Sequence, residues 1–97
     1  MAAHKLPRQI SSIKKGMRLK FLRRVQDGDV YLNKASGPSG REVDIIGTPA
    51  GGLVPVAFKS RIRNTLGQPV EMYCYKGFRY VCLVPVTLLI DNCKEIK

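Results

Sequence analysis

The chain has 97 residues, is 44% hydrophobic and 25% charged, and sets 17 Lys and Arg against 7 Asp and Glu, for a formal net charge of +10. That length holds a single domain, and the composition excludes a wholly disordered tail, a collagen-like repeat and a coiled coil. A single His and no Trp leave little catalytic equipment, whereas the charge favours polyanionic partners.

The positive charge is concentrated at the start. Residues 1 to 26 contain Lys5, Arg8, Lys14, Lys15, Arg18, Lys20, Arg23 and Arg24 and no acid, which makes that segment +8 and leaves only +2 for the rest. Residues 1–16 therefore read as a basic N-terminal arm, 17–90 as a single β domain and 91–97 as a C-terminal tail. An arm laid along phosphates gains by releasing condensed counterions, so its binding should depend steeply on salt. Three other readings compete: a transit peptide for organelle import, contact with anionic lipid headgroups, and a solvated tail that keeps the protein soluble.

From Met17 the chain reads as short strands separated by turns, the pattern of a small all-β barrel or sandwich of about six strands, OB- or SH3-like in size. Asp27 and Gly28 fit a type I′ hairpin turn between Met17–Gln26 and Asp29–Ala35. That loop pairs Val25 with Val30, Arg23 with Leu32 and Phe21 with Lys34. Met17, Leu19, Phe21, Val25, Val30 and Leu32 then share one face, with Arg18, Lys20, Arg24 and Tyr31 on the other. A helix is the rival over residues 10–25, because Ile13, Met17, Phe21 and Val25 recur every four residues. Gly16 inside such a helix costs about 1 kcal/mol, so strand is preferred from Met17, with at most a helical turn over residues 10–16.

Ser36 to Gly40 is a loop by composition, and Val43, Ile45 and Ile46 favour a strand over 41–46. After the turn Thr48 to Gly52, residues 53–63 alternate. Val54, Val56, Phe58 and Ile62 point one way, and Lys59, Arg61 and Arg63 form a basic stripe on the other side. Such a stripe is usually the wet face of a strand, yet three bases without a neighbouring carboxylate also suit phosphate contact. Turns at Gly67–Pro69 and Lys76–Gly77 bound strands over 70–75 and 78–90, the last being one long strand or a bent pair. Leu53 to Val56 recurs as Leu83 to Val86, a similarity read as coincidence because two copies do not define a repeat. Pro55 and Pro85 cannot donate ladder hydrogen bonds, so each is expected at a sheet edge, a bulge or a bend.

No catalytic or metal constellation emerges, and no cofactor is expected. His4 lies in the arm, where nothing can hold it against a nucleophile. Cys74, Cys82 and Cys93 lack zinc-ligand spacing and read as small buried hydrophobes. An odd, sparse set of cysteines predicts reduced thiols and an intracellular protein of the cytoplasm or nucleus. The longest apolar segment, 81–90, is interrupted by Pro85 and Thr87 and is about half as long as a membrane span requires. No transmembrane segment is expected.

The most informative surface is the hairpin around Lys76 and Gly77. Pairing Tyr75 with Phe78 and Tyr73 with Tyr80 gathers four rings on one face, with Lys76 at the rim and Arg79 behind. Exposed rings of this kind stack single-stranded bases at about 1–3 kcal/mol each. Buried, they would be half of a core with hydroxyls at its margin. The sequence therefore suggests a non-enzymatic nucleic-acid-binding protein, for RNA ahead of single-stranded DNA, within a ribonucleoprotein or as a viral accessory protein. The arm would supply electrostatic affinity, Lys59, Arg61, Arg63, Lys76 and Arg79 would position the strand, and Tyr73, Tyr75, Phe78 and Tyr80 would stack bases. The alternative is a self-associating assembly protein, a homo-oligomer joined through edges near Pro55 and Pro85, with its basic head on a protein partner or a peripheral acidic membrane.

Overall fold

Along residues 18–21 every second side chain is apolar, and the structure, a computed structural model, buries Leu19 and Phe21 completely while leaving Arg18 exposed. Residues 10–96 are described; Lys5, Arg8 and His4 of the expected arm lie outside them. This alternation forms β1 (Arg18–Phe21), which ends before Leu22 instead of running on to Gln26. The Leu22 N–H still donates to the Asn92 carbonyl at 2.8 Å, one step past the Phe21–Cys93 pair. Strand thus prevails over helix here, and residues 10–16 contain only a turn at Lys15 and Gly16.

A separate hairpin follows, β2 (Val25–Asp27) and β3 (Val30–Asn33). Its register differs from the expected one. Asp27 faces Val30, Gln26 faces Tyr31, and a bulge sets Val25 opposite Asn33, so Val25–Val30, Arg23–Leu32 and Phe21–Lys34 do not pair. The cause is the turn. Gly28 takes a φ of +62° while Asp29 does not enter the left-handed region, so the loop is Gly28–Asp29 and lacks the two positive φ angles of type I′. Val25 and Leu32 are still buried, in the same core.

The main sheet is antiparallel and has six strands in the order β6-β7-β5-β4-β1-β8. The remaining members are β4 (Glu42–Ile45), β5 (Leu53–Phe58), β6 (Tyr73–Tyr75), β7 (Phe78–Pro85) and β8 (Cys93–Ile96). Because β6 and β8 end the order without pairing to each other, the sheet is open and not a closed barrel. Its inner face supplies Leu19, Phe21, Val43, Ile45, Val54, Val56, Phe58 and Val84 to the main core, which the β2–β3 hairpin covers with Val25 and Leu32. Ile10 and Ile13 belong to the same core, so the second half of the expected arm packs on the domain.

The C-terminal region departs most from a strand reading. Pro85 ends β7, and Val86–Asn92 forms a short helix, α1. Residues 86–90 are continuously apolar apart from Thr87 and lack the alternation of a half-buried strand. As a helix they bury Leu89 and half-bury Val86, Leu88 and Ile90 against the core. The chain then returns as β8, pairing Phe21 with Cys93 and Arg18 with Ile96. Ordered structure therefore continues past residue 90, through Ile96.

The two similar tetrapeptides lie side by side. Leu53 faces Pro85, Val54 faces Val84 and Pro55 faces Leu83, a local two-fold arrangement with both valines fully buried. Pro85 stands at a bend, as expected. Pro55 lies in an interior strand, and the sheet edges are elsewhere, at β6 and β8. It is tolerated because β4 has already ended at Ile45, and beyond that point the Ile46 N–H donates to the Pro55 carbonyl at 3.2 Å.

Candidate nucleic-acid interface

Residues directly opposite on antiparallel strands share a face, so the register defines what the outer surface of the sheet presents. One row crosses all six strands: Tyr73, Val81, Ala57, Asp44, Arg18 and Ile96. On the same face Glu42 stands opposite Lys20, and Lys20 opposite Lys94. Leu83 and Pro55 form a further outward pair. Ile46, Ala57 and Val81 bury one another as a second, small cluster beneath this surface.

The aromatic hairpin divides between the two faces. The turn is as expected: Lys76 and Gly77 both have positive φ, +49° and +86°, and Tyr75 faces Phe78. A bulge in β7 then sets Tyr73 opposite Val81 and not Tyr80. Tyr73, Tyr75 and Phe78 consequently lie outward, with exposures of 43%, 37% and 39%. Tyr80 faces Phe58 and packs against the main core, so the set of four rings is reduced to three. A bulge inserts one unpaired residue and bends its strand, a change that strict alternation over residues 73–80 does not reveal.

Across a shallow groove of 420 Å³ the hairpin tip meets the start of β1. Lys76 and Phe78 line one side, and Lys15, Arg18, Asp44 and Ile46 the other. Lys76 Nζ lies 5.2 Å from the centre of the Tyr75 ring, and Arg18 Nε donates to Asp44 Oδ1 at 3.0 Å. Both interactions are at the surface, where they hold charges only weakly. Partial desolvation raises the Tyr73 hydroxyl above its ordinary pKa, with smaller contributions from Cys82 and Tyr75.

The other expected contact residues are dispersed. The basic stripe does not form on one strand, because β5 ends at Phe58. Lys59 lies 3.5 Å from Glu42 across the sheet. Arg61 donates to the Val70 carbonyl at 2.9 Å and covers the Tyr80 ring at 5.7 Å. Arg63 donates to the Gly67 carbonyl at 2.8 Å. Arg24 lines a groove with Tyr31, Lys34 and Leu66 beside the β2–β3 hairpin, and the half-buried Arg23 offers its carbonyl to Asn33 Nδ2. Lys14 lines a separate groove with Ile10, Ser11 and Glu95, and Arg79 is exposed at the β7 bulge.

The outer face thus gathers Lys15, Arg18, Lys20, Tyr73, Tyr75, Lys76 and Phe78 from the expected set. It adds Lys94, assigned by sequence to a tail, and Leu53 and Leu83, which are 38% and 53% exposed. The odd positions of Leu-Val-Pro-Val were the available signal for both leucines. The thiols also divide. Cys93 is buried and Cys82 half-buried, and desolvation pushes them up to about 12 and about 11, with Asp27 adding to the shift of Cys82. Cys74, expected to be buried like them, is exposed.

Comparison with known proteins assigns no family. No family model matches the chain, and no curated protein or solved structure matches it either. No helix among the described residues is long and apolar enough to cross a membrane.

Proposed function

We propose that the protein is a non-enzymatic binding module for single-stranded nucleic acid, RNA ahead of DNA, held on the outer face of the six-stranded sheet. The observation that carries this reading is the exposure of Tyr73, Tyr75 and Phe78 on the surface that also bears Lys15, Arg18, Lys20 and Lys76. Bases stack on the three rings, and the sugar-phosphate chain follows the groove between the hairpin tip and β1. Stacking of this kind tolerates any base, since every base has a π-face. Lys5 and Arg8 add long-range attraction from the N-terminal segment. Small β folds such as the OB fold carry oligonucleotides on a strand face, an analogy of architecture and not of ancestry.

The test is a salt series. Affinity of the full chain for single-stranded RNA, single-stranded DNA and duplex DNA is measured from low to high salt, beside anionic liposomes. The proposal expects single strands to bind ahead of duplex, with a log–log salt slope of roughly −3 to −5 for about four to seven phosphate contacts. Binding to liposomes alone would overturn it. A second reading rests on Leu53 and Leu83, whose exposure beside the rings makes part of the face apolar: the surface joins two copies or a protein partner. Light scattering over a dilution series separates it, because self-association makes the mass rise with concentration.

A further inference from the structure

A further groove, of 370 Å³, opens where the end of β3 meets the start of β4 and the end of β5. Its lining includes Lys34, Ser39, Arg41, Glu42, Lys59 and Ser60, three cations against one carboxylate. Glu42 is already near Lys59 at 3.5 Å, which leaves Lys34 and Arg41 without a carboxylate in the groove.

The backbone around Arg41 is firmly built. Asn33, fully buried, donates through Nδ2 to the Arg23 carbonyl at 2.7 Å and to the Ala35 carbonyl, and its Oδ1 accepts the Arg41 N–H at 3.0 Å. The Phe21 N–H donates to the Arg41 carbonyl at 2.9 Å. Gly40 packs so closely on β1 that a Cβ there would lie 1.9 Å from the Phe21 carbonyl oxygen. Glycine is therefore required for the loop to deliver Arg41 to this position.

The guanidinium itself is incompletely compensated. It lies 5.8 Å from the centre of the Phe58 ring, and its Nη1 is sheltered from solvent with no hydrogen-bond acceptor among the described residues. A buried donor without a partner is destabilising, and burial lowers the Arg41 pKa from its ordinary value. Arginine's planar fork matches the oxygens of a phosphate, and Ser39 and Ser60 supply hydroxyls at the same groove.

We propose that this groove is an oxyanion site for a phosphate group, with Arg41 as the central cation, Lys34 and Lys59 flanking it, and Ser39 and Ser60 completing the contacts. The site is separate from the aromatic groove and does not depend on the outer face binding nucleic acid. An entering phosphate offsets the desolvated charge of Arg41 and competes with Glu42 for Lys59.

Backbone amide shifts of the full chain test this, with inorganic phosphate titrated at constant ionic strength against chloride. Two parallel arms use a dinucleotide with and without a 5′-phosphate. Saturable movement of the Ser39, Arg41 and Ser60 amides by phosphate is expected, with binding roughly tenfold or more weaker in Arg41→Gln and in Lys34→Gln. Lys34 is exposed, so its variant remains informative if Arg41→Gln fails to fold. Response to the 5′-phosphorylated dinucleotide alone supports a terminal phosphate, and equal response to both supports a backbone phosphate. Amides unmoved by all three probes, or moved equally in the wild type and Lys34→Gln, would overturn the site. Tyr73→Ala, distant from this groove, should leave the phosphate response unchanged.

Discussion

Two phenylalanines show how differently the two faces of the main sheet are used. Phe21 points inward from β1 and is completely buried, within a core that also takes Leu19, Val43, Val56 and Leu89. Phe78 begins β7, pairs with Tyr75 and remains 39% exposed at a groove that it shares with Lys15 and Arg18. The same contrast holds along β7, where Val84 enters the main core and Leu83, beside it in sequence, is left in solvent. Burial on one face holds the domain together, while exposed apolar surface on the other stabilises little and is available to a ligand.

The largest effect should follow from attacking the closed face. Phe21→Ala is expected to cost about 3–5 kcal/mol in chemical denaturation, because the lost contacts leave a cavity among well-packed neighbours. Phe78→Ala should cost less than about 1 kcal/mol, in keeping with its exposure. Equal losses at the two positions would break the comparison.

Binding should show the reverse dependence. Tyr75→Ala is expected to weaken single-stranded RNA binding by about 1–3 kcal/mol, roughly 5- to 150-fold, with unfolding nearly unchanged. Loss of the folded spectrum in this variant would instead place the ring in the structural core.

A smaller effect separates the faces by pH. Cys82 and Cys93 have an ordinary value of 9.0 that burial raises to about 11 and about 12. The folded protein retains these protons where the unfolded chain releases them. Their contribution to stability is therefore fully present below about pH 9 and is lost as pH rises through the folded values. Denaturation midpoints from pH 8 to 11 should fall more gently in Cys93→Ala than in the wild type, and parallel curves would contradict the assignment.

The alternation that divides the faces could be read directly from the sequence. Arg18, Leu19, Lys20 and Phe21 specify β1, and Val54, Val56 and Phe58 specify the inward side of β5, because a period of two leaves only one way to bury them. The tight turn at Lys76–Gly77 was equally legible, whereas the turn after Gln26 was legible in place but not in type or register. What could not be read was set by non-local pairing or by a single inserted residue. Nothing near Arg18 announces that its partners are Asp44 and Ile96. The bulges in β2–β3 and β6–β7 change register without changing composition, and one of them sends Tyr80 to the opposite side from Tyr73. Lys59, Arg61 and Arg63 look like a stripe in sequence, but β5 ends at Phe58 and the three side chains turn to separate partners at Glu42, Val70 and Gly67. Arg41, one base in a loop, gave no signal until Asn33 and Gly40 placed it.

The most direct measurement for the outer face is a backbone amide shift map of the full chain titrated with a single-stranded oligouridylate. The largest movements are expected on Tyr73, Tyr75, Lys76, Phe78 and Arg18, while the amides of α1, packed on the inner face through Leu89, remain still. Movements centred on α1, or none at saturating oligonucleotide, would contradict the account.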